Sequence, residues 1–476
     1  MEKLVGRQEE IEVLKKALNS DEAEMVAVIG RRRVGKTFLI KETYKKEIVF
    51  AVSGTQNAPL AEQLSTFSYQ LTEYAKTAIP YKTPKNWLEA FQLLITFLKS
   101  KKQDKKIAVF FDELPWLASQ RSGFLRGLSF FWNNWATDQR IVVVICGSAA
   151  SWMIQKVVNH TGGLHNRITR RIFLEPFTLQ ETEEYLKSRK IYFNRYQIVQ
   201  LYMAMGGIPH YLKEIQQGKS AAQNINSICF SKSGLLRNEF LNLYPSLFNN
   251  AENHIVVIRA LYQKKIGLTR KKIVEATQLS DGGTIQRVLE ELEQSGFISI
   301  YPSFGRKKKE RLYRLTDAYS LFYLQFIDGR LFQETDIWDT LSQTAAYKTW
   351  SGYAFENICL GHLKNIKKAL GISGIHTAAS SFYRKGKDGL SGVQIDLLID
   401  RNDHVINLFE IKFYNKPFII TKEYAQKLRQ KITLFEAYSK TNKQIFISLL
   451  TSFGLMENQH SLGLIHHNLT IDDLFE

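Results

Sequence analysis

Gly30, Gly35, Lys36 and Thr37 stand at the spacing G-x-x-x-x-G-K-T, with Arg31, Arg32, Arg33 and Val34 between the two glycines. That spacing serves the holding of a polyphosphate. Glycines let the backbone turn its N–H groups onto phosphate oxygens. A helix starting at the lysine aims its positive end at the same anion. Lys36 is placed to reach the β and γ phosphates, and the Thr37 hydroxyl to ligate Mg²⁺. Phe38 follows in the same nucleotide-binding set.

A second group is acidic. Ile107-Ala108-Val109-Phe110-Phe111 runs into Asp112-Glu113. Asp112 is the expected metal-holding acid and Glu113 the group that orients and deprotonates an attacking water. Ser148, after the apolar run Ile141–Cys146, is a candidate γ-phosphate contact, with a plain Gly-Ser turn as the alternative. Arg167, Arg170 and Arg171 precede Ile172–Leu174 and are candidate fingers for a neighbouring subunit's nucleotide, or simply charged flanks of an edge strand. A third group lies far downstream. Asp396 sits in QIDLLI, and Glu410 and Lys412 sit in NLFEIKF, a D…E-x-K pattern. Two carboxylates on adjacent strands can hold a divalent ion, and a lysine two residues on shares the strand face. Glu356, on a preceding helix, is a further candidate ligand, and the competing reading of the whole group is a structural ion pair at a sheet edge.

Positioning these groups requires strands alternating with helices. Met25–Ile29 reads as a buried strand before the glycine loop, and Glu47–Val52, Ile107–Phe111, Ile141–Cys146 and Ile172–Leu174 as further strands. Helical spacing recurs at Glu9–Leu18, Leu60–Thr77 and Trp87–Lys99. The pattern predicts a parallel sheet covered on both faces, with ligands at the carboxyl ends of its strands. Helical patterns at Thr178–Lys187, Arg195–Met205 and Pro209–Gln216 fit a small α lid. Helices at Ile255–Tyr262, Thr269–Ala276 and from Ser280 precede strand-like Phe297–Pro302 and Arg311–Leu315, a winged helix-turn-helix pattern. Thr284, Gln286 and Arg287 are its candidate groove readers, and Arg306–Lys309 a basic wing for phosphates; packing or protein contact is the alternative use. The expected domains are 1–176, 177–245, 246–330 and 331–476.

Sixty-four Lys and Arg against 46 Asp and Glu give a formal charge of +18 over 476 residues, which favours a polyanionic partner, DNA first. Cys146, Cys229 and Cys359 are far apart, with no CxxC, so a zinc site is not expected and the compartment is expected to be reducing. The charged start and the lack of a long apolar run predict no signal peptide, no membrane span and a cytoplasmic location.

VGRQEEIEVL, GRRRVGKT, FFDELPWL, CGSAASWM and GGIPHYL together resemble the prokaryotic AAA-type ATPases related to STAND signalling ATPases and archaeal origin-recognition ATPases. The resemblance covers roughly the first half of the chain. It implies an ATPase that binds ATP with Mg²⁺, with Val5, Gly6 and Arg7 against the adenine and Gly207-Ile208-Pro209 in the lid beside the nucleotide. The arginine-finger position falls on Arg167, preceded by Asn166 where the family has glycine. GYAFEN, QIDLLIDR, NLFEIKF and LTIDDLF resemble an uncharacterised domain of the restriction-endonuclease-like PD-(D/E)xK fold. That implies Asp396, Glu410 and Lys412 as its active-site set and Glu356 as its helix acid.

The expected architecture is therefore α/β: a P-loop ATPase with an α lid, a winged helix, and a C-terminal nuclease-like α/β domain. Three functions compete. One is a DNA-bound ATPase driving metal-dependent cleavage. Another is a switch that forms homo-oligomers on ATP binding, with a non-cutting last domain. The third is a regulator that only loads on DNA.

Overall fold

A computed structural model describes residues 4–101, 105–158, 166–248, 250–305, 310–330, 337–386 and 391–476. It divides into two compact units, Met1–Pro176 and Phe177–Glu476.

In the first unit the chain runs α1 (Gln8–Asn19), β1 (Glu24–Ile29), α2 (Lys36–Thr43), β2 (Ile48–Ser53), α3 (Leu60–Ala75), α4 (Trp87–Lys99) and β3 (Ile107–Asp112). It continues through α5 (Leu114–Leu117), α6 (Phe124–Asn134), β4 (Ile141–Gly147), α7 (Ala150–Met153) and β5 (Arg170–Phe173). Every residue of β1, β3 and β4 is buried, as expected of strands covered on both faces. The sheet order is β2-β3-β4-β1-β5 and every pairing in it is parallel. β4 thus lies between β3 and β1, although β2 and β3 follow β1 in sequence. Ile29 pairs with Gly147 and Ser53 with Asp112, which sets the phosphate loop, Gly147-Ser148 and Asp112-Glu113 along one edge.

One face of the sheet is covered by α3, α4 and α6 through an aromatic core. Trp87 meets Phe124 edge-on at 4.7 Å between ring centroids, and Phe91 lies 5.6 Å from Phe111 and 5.5 Å from Phe131. Gly127 on α6 allows this approach: a Cβ there would stand 2.6 Å from the Phe91 ring. α6 was not foreseen from the sequence, because its stripe of Phe124, Leu128 and Phe131 is broken by Gly127 and polar neighbours.

The second unit opens with helices α8 (Leu179–Ser188), α9 (Arg195–Met205), α10 (Pro209–Leu212), α11 (Ala221–Cys229) and α12 (Glu239–Leu243). Their starts are local chemistry. Thr178 with Glu181 and Ser220 with Gln223 form reciprocal capping boxes, and Asn194 caps α9. Gly207 packs so closely on the start of the unit that a Cβ would lie 1.9 Å from the Phe177 carbonyl oxygen. Next come α13 (Ala251–Gln263), α14 (Arg270–Thr277), α15 (Gly283–Gln294) and the antiparallel hairpin β6 (Ile298–Tyr301) with β7 (Leu312–Leu315). Ile285, Val288, Leu289 and Leu292 form the buried stripe of α15 that their spacing predicts. Arg287 is exposed, Thr284 and Gln286 are half-buried, and Gln286 donates to Glu290. Arg306–Lys309 lie outside the described residues. The segment leading to them is held: Phe304 N–H donates to the Ser381 carbonyl at 2.8 Å, and the Phe304 ring packs 5.5 Å from Phe435.

After α16 (Ala318–Phe326), α17 (Ile337–Leu341), α18 (Ala345–Gly361) and α19 (Leu363–Ala369) comes a mixed sheet. Its strands are β8 (Thr377–Arg384), β9 (Val393–Arg401), β10 (Val405–Lys412), β12 (Gln444–Thr451) and β14 (His467–Thr470). Between β10 and β12 lie β11 (Phe418–Ile419) and the crossover helix α20 (Lys422–Ser439), and β13 (Leu455–Met456) pairs with β11. The order is β14-β12-β10-β9-β8, antiparallel across β8, β9 and β10 and parallel across β10, β12 and β14. No helix among the described residues is long and apolar enough to cross a membrane.

Phe91→Ala is expected to cost about 3–5 kcal/mol, since a ring amid four other aromatics leaves a void that backbone cannot fill. Hydrogen exchange at β3 and β4 amides of the full chain checks this; protection equal to the parent chain would contradict the packing.

Candidate functional site

The first site is built at the carboxyl edge of the parallel sheet. Gly35 (φ 94°) is the N-cap of α2, in a left-handed conformation that suits glycine. Gly30 serves differently from the expectation of a freely turning residue. Its φ is ordinary, and a Cβ there would stand 2.3 Å from the Leu174 carbonyl oxygen, so the glycine permits close packing on the chain after β5. Lys36 Nζ donates to the Gly30 and Arg31 carbonyls at 2.9 and 3.0 Å, and the side chain is buried inside the loop. Burial pushes its ammonium pKa down, against the pull of Cys146, Glu113 and Asp112. Arg31 and Val34 are buried, while Arg32, Arg33 and Phe38 are half-buried.

Asp112 is the best-held carboxylate here. Its Oδ2 accepts from Thr37 Oγ1 at 2.8 Å and Ser53 Oγ at 3.3 Å. Its Oδ1 accepts from the Glu113 N–H at 2.9 Å and from Cys146 Sγ at 2.7 Å. Burial, and next Asp112 itself, push the Cys146 thiol pKa well up, so it keeps the proton it donates. Ser53 and Cys146 were not singled out from sequence; both lie at strand ends that only the sheet order brings to Asp112. Glu113 (φ 47°) turns away from the strand, and its Oε2 accepts from both the N–H and the hydroxyl of Ser148, at 3.1 and 2.8 Å. Ser148 thus contacts the acid expected to handle water.

Arg7 (φ 62°) is buried beneath the loop, donating to the Glu175 carbonyl at 2.7 Å and toward that of Val34 at 3.5 Å. Gly6 is buried beside it and Val5 half-buried. Arg167 and Arg171 are exposed. Arg167 precedes the amino end of β5, whose Arg170 pairs with Val26, so it lies at the sheet end opposite the phosphate loop and does not complete this chain's own site. Arg170 is committed to Glu24 at 2.7 Å. Pro209 opens α10 in the second unit.

Comparison with known proteins fits this geometry. Residues 4–215 match the family model of an ATPase domain found predominantly in Archaea. The chain carries an ATPase domain of that family. It is 24% identical to an uncharacterized protein of Methanocaldococcus jannaschii over 445 residues, 92% of this chain and 94% of that one. The Walker-type ATPase of Pyrococcus abyssi shares the fold at a TM-score of 0.50 and 15% identity, over 67% of this chain and 96% of that one. The ORC2 protein of Aeropyrum pernix, solved in ADPNP-ADP complexes, is a weaker likeness: TM-score 0.41 and 16% identity, over 68% of this chain and 93% of that one.

The second site lies within Phe177–Glu476, in a cavity of about 1030 Å³ whose lining includes Glu356, Asp396 and Lys412. Glu410, one step beyond the Phe409–Leu397 pair, is enclosed instead by cations. Its Oε1 accepts from Lys412 Nζ at 2.8 Å and from the Tyr424 hydroxyl, and its Oε2 from Lys431 Nζ at 2.7 Å. Burial works to raise its pKa, but Lys431 and Lys412 outweigh it and hold the carboxyl at about 2. Glu356 pairs with buried Arg314 of β7 at 2.9 Å. Burial and Asp396 push its carboxyl up to about 7, against the opposing pull of Arg314. Gln394 donates to Asp396 at 2.7 Å. Among the described residues, no group of three or more His, Cys, Asp or Glu is gathered to hold a metal. The expected ligand trio Glu356, Asp396 and Glu410 is therefore not assembled as three open carboxylates. Sequence reading missed Arg314, Tyr424 and Lys431; the last two are seven apart on α20, hence on one face, which was the available signal.

Lys36→Ala is expected to lower nucleotide affinity and turnover by about 10²-fold or more, and Glu113→Gln to cut turnover by about 10²–10⁴-fold while binding persists. Calorimetry and phosphate release separate the two. Glu356 binds its proton more tightly folded than unfolded, so it lowers stability progressively as pH rises from about 4.5 to about 7 and adds no slope above. Glu410 does the reverse, losing its contribution as pH falls from about 4.5 toward about 2. Denaturant titrations of Glu356→Gln should lose the slope of the upper window; an unchanged slope would contradict the assignment.

Proposed function

We propose that the chain is an ATP-hydrolysing, DNA-associated switch whose C-terminal part holds nucleic acid without cutting it. The observation that carries the first half is the four-donor grip on Asp112 beside the phosphate loop. Lys36 answers the phosphate charge. Thr37 Oγ1 and Asp112 Oδ2, 2.8 Å apart, suit Mg²⁺, which would neutralise charge on the β and γ oxygens. Glu113 orients the attacking water and takes its proton. Ser148 holds Glu113 in place until substrate competes for it. Arg167, exposed away from its own loop, is offered to a neighbouring copy's nucleotide, which ties turnover to assembly on ATP. A cytoplasmic setting accords with this reading.

The three helices and hairpin from 251 to 315 support a winged-helix reading, and the order α18-β8-β9-β10-α20-β12 supports a restriction-endonuclease-like one. Metal-dependent cleavage is less well supported. Both oxygens of Glu410 are taken by lysines and a tyrosine, and Glu356 is taken by Arg314. The cavity presents more cations than carboxylates, an arrangement suited to phosphodiesters rather than to a divalent ion.

Supercoiled plasmid mixed with the full chain, ATP and Mg²⁺ is expected to be retarded on a gel but to remain uncut. ATP should alter that retardation for the parent chain and not for Lys36→Ala. Nicking that depends on Mg²⁺ or Mn²⁺ and is lost in both Asp396→Ala and Lys412→Ala would establish cleavage instead.

A further inference from the structure

The roughly 1030 Å³ cavity of the second unit is assembled from segments far apart in sequence. α9 brings Tyr196 and Gln200, the turn after α13 brings Lys265, and β7 brings Arg314. The start of α18 brings Tyr347 and Lys348, and β9, β10 and the residues that follow bring Asp396, Lys412, Tyr414 and Lys416. Five cations, Lys265, Arg314, Lys348, Lys412 and Lys416, face two carboxylates, Glu356 and Asp396. Arg314 is paired with Glu356 and Lys412 with Glu410, so the balance rests on Lys265, Lys348 and Lys416 against Asp396.

The walls are aromatic, and their rings are braced. Tyr196 stacks on Phe413 with centroids 5.0 Å apart and planes 3° from parallel, and Phe413 in turn packs 5.3 Å from Phe355. Tyr347 stands edge-on to Trp338 at 5.6 Å. Tyr414 is 45% exposed. Gln200, Gln343, Gln394 and Asn415 add amides that both donate and accept. Cations that track a backbone, interleaved with rings that accept any base face, are the chemistry of strand binding.

We propose that this cavity takes an unpaired strand of nucleic acid, its phosphates on Lys348, Lys412 and Lys416 and its bases against Tyr196, Tyr347 and Tyr414. This rests on the reading of the C-terminal part as a nucleic-acid holder and names the form it holds. Asp396 and Lys412, on the sheet, line one cavity together with residues of α9, the hairpin and α18. A rigid duplex, whose major groove alone is about 12 Å wide, offers its bases to those rings only after unpairing. An already unpaired strand avoids that cost. A single mononucleotide would engage only part of a chamber at the upper end of small-ligand volumes, about 300–1,000 Å³.

The test is fluorescence anisotropy with the full chain in EDTA, using one labelled oligonucleotide as single-stranded DNA, as single-stranded RNA and as the DNA duplex. At least one unpaired form is expected to bind about tenfold or more tightly than the duplex. Tyr347→Ala and Tyr414→Ala should each weaken it about tenfold. Lys348→Glu and Lys416→Glu change exposed side chains and so spare folding; each should weaken binding and flatten its salt dependence. Equal affinity for strand and duplex would overturn the proposal and leave nucleic-acid association standing. Binding of neither would remove both. Strand binding unaffected by all four variants would overturn the assignment of this cavity.

Discussion

The first unit depends on a single buried carboxylate being fixed on every side. Asp112 ends β3, and its two oxygens accept from the loop threonine, the serine closing β2, the thiol near the end of β4 and its own neighbour's backbone. Each donor comes from a different strand end or from the phosphate loop. Ser53 and Cys146 both reach Asp112 because β3 lies between β2 and β4, the order the sheet adopts. A buried charge short of partners would be costly, so these donors and the sheet order reinforce one another. The same fixation presents Glu113 to Ser148 and orients the Thr37 hydroxyl.

The local part of this was legible in the residues. Full burial of β1, β3 and β4 follows from unbroken apolar runs, and the first turns of α8, α9 and α14 follow from Thr178, Asn194 and Thr269 as caps. The phosphate loop was legible because one turn and one helix start suffice to define it. What was not legible is pairing across distance. Cys146 meets Asp112 over 34 residues and Arg314 meets Glu356 over 42, and no periodicity encodes either contact. Glu410 illustrates the limit: beside Lys412 it has the look of a metal ligand, and only the fold brings Lys431 and Tyr424 from α20 onto its remaining lone pairs.

The two sites handle charge in opposite ways. At the phosphate loop a lone buried lysine sits among backbone carbonyls with two acids nearby, a balance that favours a highly charged anion together with its cation. In the second unit ion pairs neutralise Glu356 and Glu410 in advance, and the surplus is cationic and spread along aromatic walls. A compact triphosphate suits the first arrangement, and an extended polymer of single charges suits the second.

The main-chain link between Phe304 and Ser381 carries an evolutionary corollary. It sews the hairpin to the outer strand of the mixed sheet, while Arg314 from the same hairpin forms part of the cavity wall. Recombination that traded the C-terminal portion between relatives at a boundary near residue 331 would sever a cavity from one of its own walls. The inheritable module is therefore the stretch from α9 onward, and descendants should keep or lose it whole.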